Sequence, residues 1–262
     1  MPKSGQARVP TTEEQRNLFE VIQEHRYPEK NTAIMRVSFC LGLRVQEISL
    51  LQIKDVCRLN PFRKTESRSF QLHQVMSLPA SYTKGSKALA RPKSTYTRQR
   101  VSFTVEEFER IVRQVETLAK AGSDVKPESF HPPVKAHKGR SRDLPLVDEE
   151  LRRSLEEHLS VRLLKEPSAK PSDPLFVTQK GGAYSPNTLQ EHMATMLRRW
   201  AGIEKASSHS GRRTLITDVI HNQGKSVKIA QKIAGHASPS TTIIYEEPPE
   251  AEIQDALEKL SK

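Results

Sequence analysis

Two short segments near the end of the chain contain side chains that could do chemistry. The segment AGHASPSTTIIYEE places His236 and Tyr245 nine residues apart, with a Ser/Pro turn between them. Upstream of it, HSGRR places His209 and Arg212 three residues apart at the start of a predicted helix, so their side chains share one face. The free amides and the positive dipole end of a helix N-terminus favour an anion there. If the fold brings the two segments together, all four side chains can act on one anionic group.

A further cation lies in an apolar segment much earlier in the chain. In CLGLRVQEISLL, Arg44 follows a helix that is predicted to end at Gly42, and the positions around it are apolar and predicted to be buried. A buried guanidinium needs a partner or a ligand, because burial of an unpaired charge is expensive. Glu47, three residues on, could be that partner in an ordinary intrahelical ion pair. The other interpretation is that Arg44 binds an anionic ligand.

These residue types, with a lysine from a predicted hairpin, suit exchange of a phosphodiester. A phosphate that becomes pentacoordinate gains negative charge on its non-bridging oxygens, and forked guanidiniums match that charge and geometry without a metal. A phenol can attack the phosphorus and conserve the bond energy as phosphotyrosine, so no ATP and no cofactor are required. A lysine or histidine can protonate the departing sugar oxygen. The competing interpretation is that each side chain separately is an ordinary packing residue or a solvated helix end.

The elements that must position these residues are predicted to be mainly helices with a small antiparallel β-sheet, an α+β fold. Thr11 or Thr12 is predicted to cap the first helix, Asn31 the second, and Arg44 to open a third. The segment VKAHKGRSRDLPL predicts two short strands joined by a Gly-containing turn. We expect one domain over residues 1–262, in which residues 58–134 form a basic insertion with short strands and a helix at about 104–121.

The overall charge indicates a polyanionic partner. Lys and Arg number 42 against 31 Asp and Glu, which gives a formal net charge of +11 and a pI near 9.7. No apolar run approaches the ~20 residues that span a bilayer, so nucleic acid is favoured over a membrane. Aromatic residues make up only 5% of the chain, which favours duplex DNA held by its phosphates over stacked single strands. We expect a cytoplasmic, nucleoid-associated protein. We also expect no metal site, since Cys40 and Cys57 alone cannot form one.

The order of five motifs, GLRVQEI, HKGRSRDLPL, HSGRR, AGH and TTIIYEE, resembles that of the tyrosine recombinase (phage integrase) family. The resemblance implies the catalytic-domain fold of that family. It also implies that Arg44 and Arg212 clamp the scissile phosphate. His209 would assist proton transfer, and His236 would hydrogen-bond the phosphate. Tyr245 would attack the phosphorus, which forms a 3′-phosphotyrosyl link and releases a 5′-hydroxyl.

The resemblance leaves two lysines open for the remaining role. In the family a lysine in a β-hairpin turn protonates the leaving oxygen, and Lys138 in HKGRSRDLPL matches that motif. Its distance from Arg44 is much longer than usual in the family, whereas Lys84 in YTKGSK is closer to the usual spacing. We favour Lys138, because KGRSRDLPLVDEEL leads directly into a helix like the family's. Glu47 falls at the family's acidic position after the first arginine and would be ancillary.

The N-terminal part departs from the family pattern. About forty residues precede Arg44, which are too few for the helical core-binding domain that closes around DNA in family members, so we expect that domain to be absent. The basic insertion at 58–134 could replace this clamp, or an accessory protein could supply it. The insertion could equally be a solvated surface loop.

These observations predict a site-specific DNA recombinase that acts on double-stranded DNA. The resemblance implies a homo-oligomer, a synaptic tetramer on DNA, in which the C-terminal segment EAEIQDALEKL docks on a neighbouring subunit. Two other functions remain open: a non-catalytic DNA-binding accessory protein on the same fold, and a DNA-relaxing enzyme like the type IB topoisomerases. The DNA target, and the choice between integration, excision, inversion and resolution, do not follow from the sequence.

Overall fold

The chain forms two compact units, a main unit of residues 1–83 and 140–262 and an inserted unit of residues 84–139. The structure, a computed structural model, describes residues 7–61, 69–82, 104–123, 141–236 and 238–245. Within these residues the main unit is mostly helical and contains two two-stranded antiparallel sheets. The prediction of a mainly helical α+β fold is confirmed.

The helices and strands of the described residues follow one another in short segments. In chain order they are α1 (Thr12–Gln23), α2 (Pro28–Leu41), α3 (Val45–Leu50), α4 (Ile53–Val56), β1 (Cys57–Leu59), β2 (Phe70–Leu72), β3 (Val75–Leu78), α5 (Val105–Lys120), β4 (Arg142–Pro145), α6 (Glu149–Lys165), α7 (Pro186–Ala194), α8 (Ser210–Thr217), α9 (Val227–Ala234) and α10 (Ser240–Ile243). Helices α7 and α8 continue as π-helical turns, Thr195–Trp200 and Asp218–Asn222.

The first two helices start by different devices. Thr11 caps α1 as predicted: its hydroxyl accepts from the Glu14 amide while the Glu14 carboxylate accepts from the Thr11 amide. The prediction that Asn31 caps α2 is wrong, because α2 begins three residues earlier at Pro28. Proline has no amide hydrogen to satisfy and a preset φ, which suits the first turn of a helix. Asn31 lies inside α2, where its side chain donates to the carbonyl of Arg26.

Helix α2 is the centre of the main unit and packs against α6 and α8. It is buried along most of its length, and each aliphatic side chain so buried contributes about 1.5–3 kcal/mol. Its fully buried apolar residues include Ala33, Ile34, Met35 and Val37. The burial fixes the end of α2, at Gly42, and with it the first residues of α3.

Strand β4 pairs with β3, so that Met76 lies opposite Leu144 and Leu78 opposite Arg142. The hairpin expected from the sequence would instead pair β4 with a strand just before it, in a segment outside the described residues. The β3–β4 pairing makes residues 79–141 the connection between two adjacent strands. The insertion was predicted to begin at residue 58, whereas the three strands before it belong to the main unit and the inserted unit begins at Lys84.

In the inserted unit, α5 is the amphipathic helix that the sequence predicted, capped by Thr104. Its apolar side chains, among them Val105 and Phe108, are exposed. No helix in the described ranges is both long enough and apolar enough to span a membrane.

The buried His158 of α6 should make the stability of the fold depend on pH. Its Nε2 donates to the carbonyl of Leu175, and burial lowers its pKa to about 4. Below pH 6.5 the imidazole of His158 binds a proton in the unfolded chain, whereas in the folded chain it stays neutral down to about pH 4. The free energy of unfolding therefore falls as the pH falls through this range. We expect about 1.4 kcal/mol per pH unit from this residue. Urea unfolding of the wild type and H158Q at pH 7, 6 and 5 should show the smaller pH dependence in the variant. Equal slopes would contradict the assignment.

Candidate active site

Arg212 of α8 joins the C-terminal ends of two other helices. Its side chain is buried, with Nη1 donating to the carbonyl of Gly42 at 2.5 Å and Nη2 to the carbonyl of Ala234 at 2.6 Å. Gly42 caps α2 and Ala234 ends α9, so both carbonyls belong to helix termini that lack intrahelical partners and carry partial negative charge. The guanidinium therefore fixes α2, α8 and α9 against one another and uses two of its five N–H donors to do so.

The two helix ends that contact this region require glycine. Gly42 and Gly235 have φ values of +60° and +62°, a backbone conformation that side-chain-bearing residues rarely adopt. A Cβ at Gly42 would come within 2.9 Å of Leu215, and one at Gly235 would run into the guanidinium of Arg142. The backbone at Gly235 thus approaches Arg142 more closely than a side chain would allow.

Arg44 is the N-cap residue of α3 and sits beside Glu47. Its Nη1 lies 3.3 Å from Glu47 Oε1, and its amide donates to Glu47 Oε2 at 2.8 Å. The ion pair predicted from the sequence is therefore present. The side chain of Glu47 is 1% exposed, whereas that of Arg44 is 27% exposed. Arg44 is thus held at one end by Glu47 and remains accessible to a ligand.

A third arginine, Arg142, was missed by the sequence analysis. It is the first residue of β4, and its two terminal nitrogens donate to both oxygens of Glu47, at 3.1 and 2.8 Å. Its side chain is 8% exposed. One signal in the sequence could have identified it: Arg142 alternates with Leu144 and Leu146, both buried, so it falls on the inward face of its strand.

His236 lies directly after the glycine that caps α9 and is buried. Its Nδ1 is hydrogen-bonded with the Thr242 hydroxyl at 2.8 Å. Burial, followed by the charges of Arg212, Arg44 and Arg142, lowers its pKa to about 3. His236 is therefore neutral near pH 7, and it can offer or accept a hydrogen bond without adding charge.

Tyr245 follows α10 and is half-buried. Its ring stacks on that of His236, with centroids 5.9 Å apart and an interplanar angle of 20°. The guanidinium carbon of Arg213 lies 5.7 Å from the centre of the same ring, and His221 Nε2 donates to the Tyr245 carbonyl at 3.0 Å. The phenol also acts electrostatically on Arg212. The turn between α9 and α10 thus brings His236 and Tyr245 together.

The remaining predicted residues lie at or beyond the edge of this cluster. His209 is the N-cap residue of α8 and is exposed, three residues ahead of the buried Arg212. Lys84 and Lys138 are outside the described residues, as is the C-terminal segment EAEIQDALEKL. Both lysines belong to the 79–141 connection: Lys84 comes six residues after Leu78, and Lys138 comes four residues before Arg142.

The cluster has a surplus of positive charge. Among the described residues, the guanidiniums of Arg44, Arg142 and Arg212 stand against one carboxylate, that of Glu47, which gives a net charge of +2. Burial first, and then the nearby Arg44, lower the pKa of Arg212 to about 9. Arg212 therefore remains protonated near pH 7 despite the neighbouring cations. Such a site is electrostatically incomplete until an anion occupies it.

Known structures share this fold. The chain aligns over its full length with 66% of the chain of XerA recombinase, at a TM-score of 0.58 and 19% identity. It aligns likewise with 69% of the chain of the Tn1549 transposon integrase in complex with transposon right end DNA, at a TM-score of 0.52 and 14% identity. The fold is that of a tyrosine recombinase catalytic domain.

Part of the sequence resembles known proteins. Residues 134–252 match the sequence model of the phage integrase family. Over 88 residues, 34% of this chain, the sequence is 35% identical to tyrosine recombinase XerC of Methylobacterium sp. (strain 4-46). Over 75 residues, 29% of this chain, it is 33% identical to tyrosine recombinase XerC of Anoxybacillus flavithermus (strain DSM 21510 / WK1). The match to the phage integrase family is therefore carried by residues 134–252. These alignments span about a quarter of the curated relatives, 27% and 25% of their lengths.

Proposed function

We propose that this protein is a site-specific recombinase that cuts and rejoins duplex DNA through a 3′-phosphotyrosyl intermediate. One observation carries the proposal. A buried cluster with a net charge of +2 lies beside a neutral histidine and a half-buried phenol. The cations suit a phosphate, and the phenol suits attack on its phosphorus.

The proposed reaction begins with the phosphate held by Arg44 and Arg212. The Tyr245 oxygen attacks the phosphorus and forms a P–O bond, while the bond between phosphorus and the 5′-oxygen breaks. The phenolic proton passes to His209, and the 5′-oxygen receives a proton from a lysine. Neutral His236 hydrogen-bonds a non-bridging oxygen. In the second half, the 5′-hydroxyl of another strand attacks the phosphotyrosine, so the strand is resealed and the phenol is released.

We assign the leaving-group proton to Lys138, with Lys84 as the alternative. Lys138 lies four residues before Arg142, the first residue of β4, and Arg142 forms an ion pair with Glu47. Lys84 enters the same connection from the β3 side.

The proposed substrate is double-stranded DNA, and the proposed assembly is a tetramer on that DNA. The net charge of +11 suits a grip on phosphates. Among proteins of the same fold, XerH is described as a site-specific recombinase bound to its difH substrate, at a TM-score of 0.54 and 17% identity. The inserted unit or an accessory protein would complete the clamp, and residues 250–260 would dock on a neighbouring subunit. We place this activity in the cytoplasm, at the nucleoid.

Covalent trapping tests the proposal. The purified protein is incubated with fragmented genomic DNA and with nicked duplexes, and SDS-resistant adducts are isolated and their DNA is sequenced. We expect adducts that share one sequence motif, in which the protein is attached to a 3′-phosphate. We also expect DNA affinity to fall about 10³-fold or more between 50 and 200 mM salt if six or more phosphates are contacted.

Other outcomes would favour the other functions. Tight DNA binding without any adduct would identify a non-catalytic accessory protein. Adducts without a shared sequence, together with relaxation of supercoiled plasmid, would identify an enzyme like the type IB topoisomerases. An affinity that barely changes with salt would show that the basic surface is not the DNA-binding surface.

A further inference from the structure

Arg142 is a buried cation to which the proposed reaction assigns no direct part. Its side chain donates two hydrogen bonds to Glu47, and its buried Nε has no hydrogen-bond partner among the described residues. The same guanidinium packs against Gly235 and acts electrostatically on Arg212 and His236. From the start of β4, the side chain of Arg142 therefore contacts both Glu47 of α3 and the glycine that caps α9.

We propose that Arg142 is a positioning residue of this site: by pairing with Glu47 it leaves the charge and the donors of Arg44 available to the phosphate. The inference rests on the proposed function and adds a residue to it. Arg142 itself does not have to touch the substrate.

The hydrogen bonds at Glu47 support this division of labour. Glu47 accepts from Arg142 at 3.1 and 2.8 Å, whereas the nearest guanidinium nitrogen of Arg44 is 3.3 Å away. Charge-assisted hydrogen bonds are shorter where they are stronger, so Glu47 is bound more closely by Arg142. Without Arg142, the buried carboxylate would have Arg44 as its nearest cation and would draw that guanidinium away from the ligand.

The charge balance points the same way. With Arg142 the cluster carries a net charge of +2. The two non-bridging oxygens of the pentacoordinate transition state together carry a charge of about −2, which the cluster balances. Loss of Arg142 would leave +1. Neutral His236 cannot replace the missing charge.

A purely structural role is the competing explanation, and Arg162 of α6 provides a matched control. Its side chain is 5% exposed, it pairs with Glu166 at 2.9 Å, and its Nε is likewise buried without a partner among the described residues. The pair is structural and is not part of the arginine cluster. Arg162→Gln therefore measures what the loss of a buried, paired arginine does to the fold alone.

The test compares two substrates. One is a nicked duplex that carries the sequence recovered by covalent trapping, and the other is the same duplex with a methylphosphonate at the scissile position, where a methyl group replaces one charged oxygen. For Arg142→Gln we expect the rate of adduct formation to fall about 10–100-fold on the phosphodiester. We expect the loss to shrink to about fivefold or less on the methylphosphonate, because less negative charge has to be stabilised there. Arg162→Gln should react like the wild type on both.

Each other result overturns the inference. If Arg142→Gln forms adducts at the wild-type rate, Arg142 has no role in the reaction. If the rate falls by the same factor on both substrates, the role of Arg142 is structural. If Arg142→Gln does not fold, the same ratio is measured with Arg142→Lys, which keeps the charge but loses the bidentate fork. A wild-type protein that forms no adduct with either duplex overturns the proposed function and, with it, this inference. A wild type that reacts while the variant shows no charge-dependent loss overturns the inference alone.

Discussion

Replacement of Tyr245 by phenylalanine is expected to abolish the covalent DNA adduct and to leave DNA affinity within about threefold of the wild type. The substitution removes the only atom that the proposed reaction takes from this side chain. The ring, its stacking on His236 and its contact with Arg213 all remain. Adduct formation is measured on SDS gels with the trapped duplex, and affinity is measured by anisotropy at the same salt concentration.

The matched control is Tyr184→Phe, which also removes one hydroxyl from the main unit. Tyr184 is buried beside His192 and Lys30, and it has no part in the arginine cluster. We expect the control to form adducts at a rate within a few-fold of the wild type. An adduct formed by Tyr245→Phe, or its loss in both variants, would show that the nucleophile has been assigned wrongly.

The sequence predicts those parts of the cluster that lie in short, contiguous motifs. Helix periodicity and the glycines that end helices place His236 just after α9 and Arg44 at the start of α3, and the structure has both. The approach of His236 to Tyr245 follows from a short turn, so it was also within reach of sequence reasoning. In each instance the decisive contacts are local, and local spacing is what a single sequence records.

Arg142 and the pairing of its strand show what the sequence could not reveal. Strand β4 is paired with β3 across a connection of more than sixty residues, and no local pattern specifies a partner so distant. A hairpin with its neighbouring residues was the natural expectation, because adjacent strands usually pair. The contact of Arg142 with Glu47 depends on that pairing together with the packing of α3, so it appears only in the folded structure.

Arg212→Lys should weaken both the fold and the reaction, and this combination distinguishes Arg212 from a residue with a single role. Lysine keeps the positive charge but cannot reach the carbonyls of Gly42 and Ala234 together. One buried carbonyl then loses its donor, and we expect the free energy of unfolding to fall by about 1–3 kcal/mol. We also expect adduct formation to slow at least 100-fold, about the effect of removing one preorganised donor to a phosphate oxygen.

Arg152→Lys is the control that separates the two effects, because Arg152 also joins two carbonyls, those of His73 and Leu146, with no part in the arginine cluster. It should lower the urea midpoint while the rate of adduct formation stays within a few-fold of the wild type. If Arg212→Lys lowered the stability but not the rate of adduct formation, the guanidinium of Arg212 would serve only to hold the helices together. If it lost activity alone, the two short bonds to helix ends would contribute little to the fold. Loss of both would mean that one buried side chain holds three helices in place and points its remaining donors at the phosphate. The packing that creates the site would then also set its charge.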